Sequence, residues 1–167
     1  ARNAWLKGLS PRENREVPPL RYAVVHRLKQ DFPHAQFVLN GGLSTLADAL
    51  AHGPGMGLDG VMLGRAAYHD PWLLSGVDAA LFDDAGPTAQ RADVVARMSR
   101  YLQRECAAAG GTEPRHVVRH MLGLYQGLRG ARQWRRMLSD AAWLRRAGDR
   151  ILDVALAEVA APQLESA

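Results

Sequence analysis

Two glycine-rich turns carry the residues best suited to hold an anion. Asn40-Gly41-Gly42 follows the apolar run Phe37-Val38-Leu39, and Gly64-Arg65 follows Gly60-Val61-Met62-Leu63. Glycine has no Cβ, so at Gly41, Gly42 and Gly64 the main chain can approach a phosphate closely, while the Arg65 guanidinium offers a planar fork for its oxygens. The same turns have a purely conformational reading, because glycine ends many strands for the sake of the turn alone. Repetition of the pattern in consecutive strand–helix units brings the anion reading level with the conformational one.

The other candidates are basic. Arg115, Arg119 and His120 recur at helical spacing, and Arg132, Arg135 and Arg136 lie within about one turn beside Gln133 and Trp134. Only Asp140 falls between Arg115 and Arg146. Arginines on adjacent turns repel one another, and a polyanion relieves that repulsion. A solvated face with Trp134 in the core is the competing reading. Residues 1–90 hold eight Lys or Arg against nine Asp or Glu, whereas residues 91–167 hold thirteen against eight, all thirteen arginine. That choice suits phosphates and bases, although a GC-rich genome would also favour arginine. Arg12 and Arg15 sit in a proline-bounded segment with Lys7 just before it, and the three face an anionic partner or are ordinary solvated charges. Cys106 is the single cysteine; it excludes an internal disulfide and suits a reducing compartment. With His26, His34, His52 and His69 it makes no ligand spacing, so a structural role and no metal are expected.

Regular elements must position these groups. Ser10 to Pro19, with proline at both ends, predicts an ordered loop. Tyr22 to Phe32 predicts a helix with the stripe Val24, Val25, Leu28 and Phe32, stopped by Pro33. A strand at Phe37, a helix over Leu43–His52 and a strand at Gly60 follow, so residues 20–70 alternate as parallel strands do. Phosphate sites of (β/α)₈ barrels lie after the last two strands. Two strands cannot bury both faces of a sheet, so further strands are expected from chain before Ala1, which is itself not methionine. Beyond Trp72-Leu73-Leu74, residues 83–90 read as a linker. Only helices are predicted after it: Arg91–Ala109, Glu113–Leu124, about Gly130–Leu144 and about Asp149–Val159, packed as a bundle through residues such as Val95, Leu102, Val118, Ile151 and Leu152. The 47% apolar and 23% charged composition is that of a globular protein, with no apolar run long enough for a membrane helix and no signal peptide.

Four motifs in order resemble one family. Ala1-Arg2 with Trp5-Leu6-Lys7-Gly8-Leu9-Ser10-Pro11-Arg12-Glu13-Asn14-Arg15 and Pro18-Pro19-Leu20, then Asn40-Gly41-Gly42, then Asp59-Gly60-Val61-Met62-Leu63-Gly64-Arg65-Ala66-Ala67-Tyr68, then Gly130-Ala131-Arg132 with Trp134-Arg135-Arg136, are similar to tRNA-dihydrouridine synthases of the A type. The resemblance implies an α/β fold, the C-terminal part of a (β/α)₈ TIM barrel (residues 1–82) and a linker (83–90) followed by an all-α helical tRNA-binding domain (91–167). It also implies a cytoplasmic oxidoreductase in which FMN, reduced by NADPH, reduces uridines of the tRNA D-loop, at position 20 and its neighbour.

By the same resemblance, Asn40, Gly41, Gly42, Gly64 and Arg65 bind the FMN phosphate, while Arg12, Arg15, Arg132 and Arg135 bind tRNA. Arg12 replaces a lysine of the family loop and keeps its charge. The family's general-acid cysteine and its flavin-contacting lysine and histidine have no counterpart here, and Cys106 stands in no matching motif. The expectation is therefore a fragment lacking the N-terminal half of the barrel, with no catalytic residue of its own and inactive alone. The alternative is a non-catalytic RNA-binding module whose barrel remnant is structural; a flavin barrel acting on a small molecule leaves the arginine-rich helices unexplained.

Overall fold

The computed structural model describes residues 2–82, 86 and 89–160. The chain divides into two compact units, residues 1–66 and residues 67–167. Of the segment 83–90 expected as a linker, only residues 86, 89 and 90 are among those described.

The first unit is α/β. Helix α1 (Tyr22–Asp31) leads to strand β1 (Val38–Asn40), helix α2 (Leu46–His52) and strand β2 (Gly60–Met62). The strands pair in parallel, Leu39 opposite Val61 and Asn40 opposite Met62, as the alternating pattern requires. Its small core consists of Leu39, Leu43, Ala49 and Leu58, with Tyr22, Val25, Phe37, Val61 and Leu63 packed around it. Helix α2 begins three residues later than expected because Thr45 caps it, its Oγ1 accepting from Asp48 N at 3.0 Å. Lys29 reaches from α1 to Asp59 at 2.9 Å, and the Asp59 carboxylate also accepts from Phe37 N at 2.7 Å. This clamp ties α1 to the start of both strands and holds the Asp59 carboxyl below its ordinary range, the Phe37 N–H being the main cause and Lys29 the next. Only part of the predicted α1 stripe is covered: Leu28 and Phe32 are exposed, as are Val38 and Met62 on the strands. Two strands offer too narrow a sheet to bury them.

Helix α3 (Arg65–His69) follows β2, and the second unit continues with α4 (Val77–Phe82), α5 (Arg91–Ala107), α6 (Pro114–Val118), α7 (Ala131–Ser139), α8 (Ala141–Ala147) and α9 (Ile151–Ala160). Val95, Leu102, Val118, Trp134, Met137, Ile151 and Leu152 form one continuous core, with Trp72 against it. Trp72 also lies under the Arg91 guanidinium at 4.1 Å, so residues 71–82 pack with the helices that follow them in sequence.

Two predicted helices are shorter than their periodicity suggests. The helix expected to reach Leu124 stops at Val118, and residues 119–130 run through successive turns. The Trp134 indole N–H takes the Met121 carbonyl at 2.7 Å, and Gly127 and Gly130 adopt positive φ. Gly123 packs so closely that a Cβ there would stand 2.0 Å from the His69 carbonyl oxygen. The helix expected over 130–144 breaks at Asp140, whose carboxylate caps α8 by accepting from Ala142 N at 2.7 Å and Trp143 N at 3.1 Å. Capping by a mid-pattern aspartate leaves the apolar period intact, which is why the sequence reads as one helix.

Candidate functional site

In the first unit the ends of β1 and β2 open on a cleft of about 1070 Å³. Asn40, Gly41 and Gly42 line it from β1, Gly64 and Arg65 from β2, and Arg12 and Arg15 from the N-terminal loop. The structure thus gathers both glycine turns and the loop arginines, far apart in sequence, around one space. Arg2 joins them, making four arginines at the cleft against one carboxylate, Glu16. The Glu16 carboxylate stands 3.9 Å from Arg12, both side chains being well exposed, so this pair neutralises Arg12 only weakly. The Asn40 and Arg65 side chains have no hydrogen-bond or ion-pair partner among the described residues. An unpaired guanidinium beside a main-chain turn is the donor set an anion needs.

The glycines divide into two kinds. Gly41 and Gly42 adopt φ of 115° and 72°. A Cβ on Gly42 would lie 2.6 Å from Leu20 Cδ1 and 3.0 Å from the Tyr22 hydroxyl oxygen. That hydroxyl donates to the Gly41 carbonyl at 2.5 Å. Turn geometry and packing therefore demand glycine at 41 and 42, with or without an anion. Gly64 has an ordinary φ, and a Cβ there would meet only the Met62 thioether, its sulfur at 3.5 Å. Nothing in the fold requires glycine at 64, and it lies on the cleft wall.

The loop over the cleft is built by short-range polar contacts. Ser10 and Glu13 form a reciprocal capping box: Ser10 N donates to Glu13 Oε2 at 2.7 Å, and Glu13 N to Ser10 Oγ at 3.3 Å. The Ser10 contacts hold the Glu13 carboxyl below its ordinary range. They start a single 3₁₀ turn, Glu13–Arg15. Asn14 Oδ1 accepts from Trp5 N at 2.7 Å, and its Nδ2 donates to the Trp5 carbonyl at 3.0 Å. An antiparallel bridge between Arg2 and Leu20 closes the loop at its base, and the Arg2 guanidinium donates to the Arg15 carbonyl. Ser10, Glu13 and Asn14 thus shape the loop, while Arg12 and Arg15 stay exposed on it. Arg2 and Asn14 were not among the residues singled out from sequence. The Ser10/Glu13 spacing is a legible signal for the turn, but the Arg2–Leu20 bridge has none.

In the helical unit, Trp134 is fully buried and packs on Tyr125, ring centroids 4.8 Å apart. That anchor turns Arg132, Arg135 and Arg136 outward, and all three are exposed. Trp134 is thus in the core, as one reading expects, and its arginine neighbours form a solvent-exposed basic face. Arg135 donates to Gln126 Oε1 at 2.7 Å, a neutral partner that leaves its charge uncompensated. Arg115 is paired with Glu113 at 2.7 Å, while Arg119 and His120 are exposed beyond the end of α6. Cys106 donates to the Thr112 carbonyl at 3.1 Å. Burial, with Asp149 and Glu105 nearby, raises its thiol above the ordinary range. No group of His, Cys, Asp and Glu among the described residues could hold a metal ion, and no helix among them is long and apolar enough to cross a membrane.

Comparison with known proteins places these features in context. The chain matches the family described as "Dihydrouridine synthase (Dus)" over residues 1–160. It is similar to the tRNA-dihydrouridine(20/20a) synthase of Vibrio cholerae serotype O1, 46% identical over 159 residues, covering 95% of this chain and 47% of the relative. The enzyme of the same name from Escherichia coli strain K12 is 49% identical over 160 residues, 96% of this chain and 45% of the relative. That from Pasteurella multocida is 48% identical over 160 residues, 96% of this chain and 48% of the relative. The chain spans about half the length of the curated relatives it matches.

Proposed function

Because this chain belongs to the dihydrouridine synthase family, we propose that it is the C-terminal portion of an FMN-dependent tRNA-dihydrouridine synthase that reduces D-loop uridines at positions 20 and 20a. Residues 1–82 are then the closing part of a (β/α)₈ TIM barrel, 83–90 a linker and 91–167 a helical tRNA-binding domain, in a cytoplasmic enzyme. The observation that carries the reading is the single cleft that gathers Asn40-Gly41-Gly42, Gly64-Arg65 and the loop arginines. FMN fits the residues present at its phosphate end: an unpaired guanidinium, main-chain turns, and a glycine at 64 that the fold itself does not need. When bound and reduced by NADPH, the flavin supplies a hydride to the uracil ring.

Each residue of this chain then has a task. Asn40, Gly41, Gly42, Gly64 and Arg65 would hold the flavin phosphate, the turns through main-chain N–H groups and Arg65 through its guanidinium. Arg12 and Arg15, held out by the Asn14 clamp and the capping box, contact the tRNA backbone, and Arg132 and Arg135 do so from the helical domain. None of them moves a proton, and no residue here takes the general-acid role, so the chain alone is inactive. The test is titration of FMN into the purified chain, followed by flavin fluorescence. Saturable binding abolished by Arg65→Ala is the expected result. Binding unaffected by Arg65→Ala would remove the phosphate assignment, and dihydrouridine formed on tRNA by this chain with FMN and NADPH would overturn its inactivity. If tRNA is retained while FMN is not bound at all, the chain is instead a non-catalytic RNA-binding module.

A further inference from the structure

The most exposed large apolar side chain among the described residues is Leu6, 96% accessible, and Trp5 beside it is 50% accessible. Neither belongs to a helix or strand, yet their position is not left to chance. Asn14 grips both the N–H and the carbonyl of Trp5, at 2.7 and 3.0 Å, and the same side-chain amide lies 3.3 Å from the Leu9 and Ser10 carbonyls. A buried core would have offered Trp5 more apolar contact than this loop does. Instead the fold uses an amide clamp to hold an indole and an isobutyl group in water.

The surroundings identify the partner. Residues 2–21 carry Arg2, Lys7, Arg12, Arg15 and Arg21 against two carboxylates, and one of those, Glu13, is committed to Ser10. A polar rim by itself suits a protein partner too, but five cations against two carboxylates favour a polyanion, and an exposed aromatic ring in a cation-rich segment is the pattern that receives a base between phosphates. We propose that Trp5 and Leu6 form a platform on which an unpaired nucleobase of the RNA stacks, with the flanking cations on its phosphates. This rests on the reading that the loop meets tRNA, and adds to it a contact that is not electrostatic. Every base has a π face, so the platform selects unpaired over paired nucleotides, not one base over another.

The test uses the intact 167-residue chain, a tRNA transcript and a short single-stranded oligouridylate, with affinities measured over a range of salt. Trp5→Ala is expected to weaken binding of the oligouridylate roughly tenfold, the loss of one stacked base, with the slope of log K against log salt unchanged. Trp5→Phe retains most of the affinity, because it keeps a π face. Arg15→Ala weakens binding with a slope reduced by about one, the signature of a phosphate contact. If Arg15→Ala weakens binding and Trp5→Ala does not, the stacking inference is overturned while the loop's role in tRNA binding stands. If neither variant changes affinity, or the parent chain does not bind, both fail. Equal loss in Trp5→Phe and Trp5→Ala also overturns the platform, since packing of a specific indole would then be responsible.

Discussion

Gly42 and Gly64 occupy comparable positions after two parallel strands yet answer to different forces. Gly42 is held by a positive φ and by Leu20 and Tyr22; Gly64 by neither. Gly42→Ala should therefore destabilise the first unit by about 1–2 kcal/mol from the left-handed backbone alone, more with the steric contact, as seen in denaturant unfolding. Gly64→Ala should leave that unfolding curve in place and weaken FMN binding at least severalfold, because the added methyl occupies the cleft wall. If Gly64→Ala binds FMN as well as the parent, glycine there has no ligand role. Cys106 gives a second prediction at this scale. Its raised thiol pKa means less thiolate at a given pH, so alkylation of the folded chain near pH 8 should be slower than that of the same chain in denaturant. Equal rates would show that the Thr112 contact and the burial do not persist in solution.

Among the elements, the break between α7 and α8 depends on one carboxylate. The Trp143 and Ala142 N–H groups hold Asp140 below its ordinary pKa. A carboxyl whose folded pKa is depressed contributes stability that is fully present above the unfolded value of about 3.9 and is lost as pH falls through the folded one. The cap should thus persist at neutral pH and fail only in the acid range below about pH 4. Asp140→Ala should lower the thermal midpoint at pH 7, with the difference from the parent vanishing in that acid range; a constant difference would mean that the carboxylate charge is not what caps α8. The N-terminal loop is organised in the same way, by the Ser10–Glu13 box and the Asn14 clamp, and both these devices use side-chain groups to satisfy main-chain donors that no neighbouring strand or helix serves.

At the scale of the whole molecule, each compact unit has its own core, and the two cores differ in size. Trp134 sits at the centre of the larger, fully buried, with its indole N–H on the Met121 carbonyl. Trp134→Ala should cost about 3–5 kcal/mol, and Trp134→Phe a smaller amount, about 0.5–1.5 kcal/mol for the lost indole hydrogen bond, since the Met121 carbonyl keeps the Leu124 N–H. Melting followed by circular dichroism measures both. The smaller core leaves Val38 60% and Met62 48% accessible on a two-stranded sheet. Such an edge is a template for pairing with another chain. The isolated chain should therefore self-associate with rising concentration, and Val38→Lys should suppress this in light scattering; no change would place the sticky surface elsewhere.

Local pattern was enough for the parallel strand–helix alternation, the helical second half and the two glycine turns that line the cleft, because apolar periodicity and glycine after a strand are properties of neighbouring positions. The motif order from Arg2 to Arg136 was likewise enough for the family, which the comparisons bear out. What neighbouring positions could not reveal were events set by groups distant in sequence. The Met121 carbonyl, beyond the end of α6, accepts the Trp134 indole N–H, Gly123 admits the His69 carbonyl, and residues 71–82 join the helical unit through Trp72 and Arg91. In the same way, Leu20 and Tyr22 explain Gly41 and Gly42, and the Arg2–Leu20 bridge brings Arg12 and Arg15 to the cleft. Each is a contact whose free energy exists only once the chain has closed on itself, so no window of sequence contains it.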